Sequence, residues 1–235
     1  MGVKVGYGQY CPLAMSAEFL CNKWTILLFR ELLFGSSSFN DLSRGLPRMS
    51  RTLLSNRLKE LVDIGLVTRH QNRNNNQVDY TLTQAGTALG PVVFSMAQWG
   101  QEWLQVEPSV KNVDVDFLMW DIRRNTNPLP ELPNPFVVHI FLTDVVENKS
   151  DHWLIFENGD VDLCHIDQNL KIDVTMEISA QKLTKVWMGW EDFSAAIKDG
   201  SLKLKGHKKY TDIALNWLGQ SSIAHIKKQP VELRV

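Results

Sequence analysis

SRTLLSNRLKELVDIG, residues Ser50 to Gly65, decides how the chain reads. Leu54, Leu58 and Leu61 recur at spacings of four and three with Val62 beside them, which lays one apolar stripe along a helix. The other side carries Thr52, Ser55, Asn56 and Lys59, with Arg51 and Arg57 on its flanks. Short hydrogen-bonding groups and cations of this kind reach base edges and phosphates. Ser50 stands where an N-cap oxygen satisfies the first free amides, and Gly65 where a left-handed residue ends a helix. Any solvated surface helix has a similar composition, so its neighbours must decide between the two readings.

Working outward, Lys23 to Phe34 (KWTILLFRELLF) is so apolar that most of it must be buried, and residues 14 to 21 precede it as a shorter helix. Gly35 and three serines end the apolar helix, a third helix runs from Phe39 or Asn40 to about Gly45, and Pro47 breaks the chain before Ser50. Helix, short connection and helix is the order of a helix-turn-helix unit. Residues 66 to 71 and 78 to 83 are β-rich and flank the polar tip Asn72-Arg73-Asn74-Asn75-Asn76, which reads as a hairpin. Between Arg44 and Arg73 stand seven bases (Arg44, Arg48, Arg51, Arg57, Lys59, Arg69, Arg73) against two acids, Glu60 and Asp63. Such a local patch matters more to a polyanion than the net charge of -1 over 235 residues. Thr52, Ser55 and Asn56, with Arg51, are therefore assigned to bases; Arg48, Arg57, Arg69 and Arg73 are assigned to phosphates, and Ser50 and Lys59 are kept in the same interface.

These residues resemble the HxlR-type winged-helix regulators, relatives of the MarR group. The resemblance rests on Cys11-Pro12, Lys23-Trp24, Arg30-Glu31-Leu32 and Phe39-Asn40-Asp41-Leu42, then on SRTLLSNRLKEL, Gly65-Leu66-Val67, Tyr80-Thr81-Leu82-Thr83, Gly86, Pro91 and Trp99-Gly100. It covers about residues 10 to 104 with order and spacing kept. Cys21-Asn22 and the asparagine-rich tip depart from it. The resemblance implies double-stranded DNA as partner, a homodimer built through the terminal helices, and sensing of oxidants or electrophiles at Cys11. From the residues alone Cys11 is equally a buried, inert thiol, because reactivity requires a lowered pKa. The helix expected after Gly90 carries Val92, Val93, Met96, Trp99 and Trp103, a face that either packs on its own domain or forms the dimer seam.

Composition changes beyond residue 104: the first 104 residues hold 10 Lys and Arg against 7 Asp and Glu, the remainder 15 against 19. A helix is expected at 114 to 123, then a turn-rich stretch with Pro128, Pro130, Pro133 and Pro135. Strands are expected at 136 to 143, 153 to 157, 161 to 166 and 172 to 178, the last alternating Ile172, Val174, Met176 and Ile178 with polar residues. Helices at 180 to 188, 190 to 199 and 208 to 219 and a fifth strand at Leu202-Lys203-Leu204-Lys205 complete an α+β domain.

This part resembles the sterol carrier protein type domain over about residues 113 to 219. The carriers of that likeness are Ile178-Ser179-Ala180, Trp187-Met188-Gly189, Phe193-Ser194-Ala195-Ala196-Ile197 and Asp199 to Gly206. It implies an apolar tunnel for a lipid-like small molecule. Candidate lining residues are Trp120, Phe141, Trp153, Phe156 and Met176 from the first half of the domain, and Trp187, Met188, Trp190, Phe193 and Trp217 from the second. Aromatics at strand and helix spacing equally make a plain core.

The expected organisation is thus a winged-helix DNA-binding and dimerisation domain at 1 to 104 and a sterol carrier-like α+β domain at 113 to 235. Cys11, Cys21 and Cys164 lack zinc-site pairing and form no disulfide framework, the histidines are scattered, and no familiar catalytic motif occurs. No metal, cofactor or catalytic residue is expected, and the chain is read as not an enzyme. No apolar run reaches the roughly 18 residues of a membrane span and no signal-peptide core is present, so no membrane partner and a cytoplasmic location are expected. Two functions stand against each other: a dimeric sequence-specific transcription regulator, or a carrier of lipids or apolar metabolites whose winged helix is only a dimerisation or adaptor module. The basic patch favours the regulator.

Overall fold

In a computed structural model of the chain, residues 6–71, 77–105 and 107–235 are described. The chain divides into two compact units, Met1–Ala97 and Gln98–Val235, and the division falls inside one helix.

In the first unit α1 (Pro12–Leu20), α2 (Thr25–Leu33), α3 (Phe39–Gly45) and α4 (Arg51–Asp63) precede the hairpin β1 (Val67–Gln71) and β2 (Val78–Leu82). A short α5 (Gln84–Thr87) leads into α6 (Gly90–Trp103), the helix that holds the division. The turn between α3 and α4 is held by Leu46 and Met49, both buried, with the Met49 amide donating to the Leu46 carbonyl at 2.9 Å. Their burial, with that of Leu28, Phe29, Leu42, Leu54, Leu58 and Leu61, closes one core. The Arg30 guanidinium donates to the Gly45 carbonyl at 3.0 Å and pairs with buried Glu31 at 2.8 Å. Any side chain at Gly45 would collide with that carboxylate, so a glycine is needed where α2 meets the end of α3. The hairpin is antiparallel with Val67 opposite Leu82 and Arg69 opposite Tyr80. It joins the body where the Tyr80 amide donates to the Ser37 carbonyl at 2.8 Å and Ser38 bridges to Asp79.

The second unit has α7 (Glu107–Lys111), α8 (Val115–Asn125), β3 (Phe136–Leu142), β4 (Asp151–Glu157), β5 (Asp160–Cys164) and β6 (Val174–Ile178). It ends with α9 (Ala180–Trp187), α10 (Phe193–Lys198), β7 (Leu202–Gly206), α11 (Lys208–Thr211) and α12 (Ala214–Leu218). The sheet order is β5-β4-β3-β6-β7, with β3 and β6 parallel and the other neighbours antiparallel. Alternation along β3, β4 and β6 turns Phe136, Val138 and Ile140, Leu154 and Phe156, and Val174 and Met176 to one face, where residues of α8, α9, α10 and α12 cover them. Phe136 sits among Tyr210, Phe156 and Trp217 with ring centroids 5.4 to 5.6 Å away. The two most deeply buried indoles are satisfied: Trp187 Nε1 donates to Asp121 at 2.8 Å and Trp217 Nε1 to the Tyr210 carbonyl at 2.9 Å.

Several expectations need correction at their ends. The strand expected at 172 begins at Val174, leaving Ile172 partly exposed, and the one expected to reach Ile166 stops at Cys164 with Ile166 in solvent. The helix expected from 190 starts at Phe193, because the Asp192 carboxylate caps the Ala195 amide at 2.7 Å and the Trp190 indole is spent on Gln101 at 2.8 Å. The helix expected over 208 to 219 is two short ones, Lys208–Thr211 and Ala214–Leu218. The stretch from Asn127 to Pro135 is the irregular loop its prolines imply.

His152 is buried on β4, Nε2 donating to the Lys149 carbonyl at 3.0 Å and Nδ1 facing His165 Nδ1 at 3.0 Å. Burial, reinforced by the second imidazole, holds its pKa at about 4 against the opposing pull of the Lys149 carbonyl, Asp116 and Asp151. The unfolded chain therefore takes up this proton first. The contribution of neutral His152 is whole above about pH 6.5 and is lost as the pH falls toward about 4. Denaturation of the second unit should show a loss of about 3 kcal/mol over that window that His152→Gln removes. An unchanged pH slope in the variant would contradict this assignment.

Candidate nucleic-acid interface

The helix α4 begins where Ser50 Oγ accepts from the Leu53 amide at 3.3 Å and ends at Gly65, whose φ of 77° is left-handed. Burial of Leu54, Leu58 and Leu61 fixes its rotation about its own axis. Arg51, Thr52, Ser55, Asn56 and Lys59 are all exposed. At about 100° per residue they span an arc of roughly 140°, a single outward face.

Arg51 is held in place: its guanidinium lies 4.7 Å from the Phe39 ring centroid and donates to Asn40 Oδ1 at 3.2 Å. Planar stacking plus one directed bond orients a fork that can address a base edge or a phosphate. Ser50 is exposed but its oxygen is engaged as the cap. Arg48 is exposed in the turn before α4, and Arg69 is exposed on β1. Arg73 lies outside the described residues.

Arg57 is not brought to this face. It stands roughly 170° from the centre of the outward arc at about 100° per residue. Its side chain is only 14% exposed and pairs with Glu60. Counting cations in the sequence assigned it to phosphates, whereas the helical angle alone separates it from the others. Sequence reasoning also passed over the outer edge of the hairpin. There His70 Nε2 lies 3.0 Å from Thr68 Oγ1 and 3.1 Å from Thr81 Oγ1, an exposed polar cluster beside Arg69. The period-2 spacing of Thr68 and His70 is the signal for it.

The lining candidates of the second unit do not converge. Phe156, Met176, Trp187, Phe193 and Trp217 belong to the helix-covered core. Phe141 and Trp153 project from the opposite face of the sheet, Trp153 stacked on His139 with centroids 4.9 Å apart. Trp120 is buried outside that core cluster with Arg123 over its ring, and Met188 and Trp190 are half-buried. Among the described residues no group of His, Cys, Asp and Glu could hold a metal ion, and no helix is long and apolar enough to cross a membrane.

With this geometry in place, residues 19–108 match the family described as HxlR-like helix-turn-helix. A Bacillus subtilis (strain 168) protein named as the uncharacterized HTH-type transcriptional regulator YvaP is 34% identical over 103 residues, 43% of this chain and 94% of its own length. The similarly named sll1512 of Synechocystis sp. is 35% identical over 101 residues, 43% of this chain and 75% of its own. The chain belongs to the HxlR-like helix-turn-helix family. Among solved structures, the reduced form of the transcriptional regulator YodB from B. subtilis is 34% identical over 40% of this chain and 93% of its own, at a TM-score of 0.36.

Cys11 is exposed as the N-cap of α1, so it is not the buried thiol that the sequence left open. Hydrogen bonds from the Ala14 and Leu13 amides lower its pKa below the ordinary thiol value, whereas burial raises that of Cys164. Cys11 and Cys21 cap opposite ends of α1, about 15 Å apart at 1.5 Å per residue, beyond the roughly 7 Å Cα limit of a disulfide. At neutral pH iodoacetamide should alkylate Cys11 before Cys164, as read by peptide mass against time. Equal rates would contradict the environment described.

Proposed function

We propose that the chain is a dimeric, sequence-specific DNA-binding transcription regulator that reads the major groove with α4. The observation that carries this reading is the outward arc of Arg51, Thr52, Ser55, Asn56 and Lys59 between a capped start and a leucine-packed back. Thr52, Ser55 and Asn56, with the stacked Arg51, contact bases. Arg48, Lys59 and Arg69 hold phosphates, and Arg73 at the hairpin tip is assigned there from sequence. A carrier whose winged helix is only an adaptor has no use for such an arc. The names of the two relatives agree with the regulator.

For the dimer, the support is apolar surface without cover. No residue of α1 is buried, and Leu13, Met15 and Phe19 are exposed along it, as are Val92, Met96 and Trp99 on α6. Val93 is the exception, packed into the first core, so only part of the face expected on α6 is free. Solvated monomers rarely leave this much contiguous apolar surface. A two-fold pair presents two α4 helices to a pseudo-palindromic site. Within this reading Cys11 senses oxidants or electrophiles, supported by its exposure and lowered pKa. The reading does not extend to an apolar ligand in the second unit, because its candidate side chains lie on both faces of the sheet.

Selection of duplexes from a random pool supplies the operator for testing. Asn56→Ala should then cost about 1 to 3 kcal/mol on the operator and relax one position. A combined Arg48→Ala, Lys59→Ala and Arg69→Ala variant should weaken all sequences and flatten the salt slope, whereas Arg57→Gln should leave that slope unchanged. Salt-insensitive binding, equal in wild type and triple variant, would sink the proposal. In sedimentation the wild type should run as a dimer and a Leu13→Glu, Met96→Glu variant as a monomer. A monomeric wild type would refute the dimer.

A further inference from the structure

The back of α4 carries a second feature, independent of its outward arc. Within the first unit a cavity of about 780 Å³ opens between α1, the start of α2 and the last turns of α4. That volume lies in the range of about 300 to 1,000 Å³ typical of small-molecule sites. Phe19, Leu61 and Ile64 give it apolar walls.

Among the described residues, three buried side-chain polar atoms have no hydrogen-bond partner: Thr25 Oγ1, Arg57 Nε and Trp153 Nε1. The first two belong to residues that line this one cavity. Thr25 is 1% exposed. A buried polar atom left unpaired costs about 1 to 3 kcal/mol, so two on one wall call for an explanation. Nothing in the packing of α2 against its core requires a hydroxyl there, since valine has the same shape.

The chemistry of the two atoms selects the ligand. Arg57 Nε only donates and a threonine hydroxyl can donate, so one acceptor oxygen satisfies both. An anionic oxygen is disfavoured by the wall, which carries Glu18, Glu60 and Asp63 against the single guanidinium. Two of these carboxylates are already engaged, Glu60 by Arg57 and Glu18 by the Tyr7 amide at 2.8 Å, but their charge remains. We propose that this cavity is a receptor site for a small uncharged molecule with an apolar body and a carbonyl oxygen, the oxygen accepting from Thr25 Oγ1 and Arg57 Nε. It places a ligand on the inner side of the helix whose outer side bears the proposed DNA-reading residues.

Binding can be read without DNA, so its failure and that of the regulator reading are separate. The full chain, labelled with ¹⁵N in backbone and arginine side chains, is titrated by NMR with acetophenone, ethylbenzene and benzoate. Acetophenone should shift the Arg57 Nε–H and Thr25 amide signals saturably. Ethylbenzene, the same shape without the oxygen, should bind about tenfold more weakly, as should benzoate. Thr25→Val should weaken acetophenone about tenfold and leave ethylbenzene unchanged, while Thr25→Ser should keep wild-type affinity; circular dichroism checks that both are folded. Equal binding of acetophenone and ethylbenzene, a preference for benzoate, or shifts away from Thr25 and Arg57 would each overturn the site. So would the absence of saturable binding, the result expected if a second copy of the chain fills the cavity.

Discussion

The burial of Leu54, Leu58 and Leu61 is the constraint on which the first unit depends. An apolar stripe packed into a small core cannot turn about its axis without exposing leucine, at a cost of about 1.5 to 3 kcal/mol for each side chain. With rotation fixed, Arg51, Thr52, Ser55, Asn56 and Lys59 face outward together and Arg57 faces inward. The surface assigned to DNA and the cavity behind it are thus two consequences of one packing arrangement.

The supports around α4 act on the same coordinate. Leu46 and Met49 anchor the turn that delivers Ser50 to the cap, and Arg30 with Glu31 ties α2 to the end of α3 at Gly45. The hairpin is attached through Ser37 and Ser38, so Arg69 and the Thr68, His70 and Thr81 cluster are carried by the same body. A reading surface needs such rigidity, because base contacts are directional and lose their discrimination when a side chain is displaced by about an ångström.

Much of this was legible in the residues because it rests on local rules. Ser50 and Gly65 mark the ends of α4, Pro47 marks the turn, and the alternation on either side of the asparagine tip marks the hairpin. Arg57 was misplaced because charge was counted without its angle on the helix. In the second unit strand identity was readable but strand ends were not: Ile172 and Ile166 fit a period of two yet have no ladder partner. The break between α11 and α12 and the late start of α10 depend on side-chain contacts, Trp190 with Gln101 among them, that span far more sequence than any periodicity window. The cavity was invisible for the same reason, since its wall draws on three separated segments.

The most direct measurement is an NMR titration of the labelled full chain with its selected operator duplex. The account requires the largest shifts at Thr52, Ser55, Asn56 and Lys59, at the Arg51 side chain and along the exposed edge of β1, with Leu61 and Ile64 unmoved. Shifts concentrated at Arg57, Glu60 and Asp63, or confined to residues beyond Gln98, would contradict it.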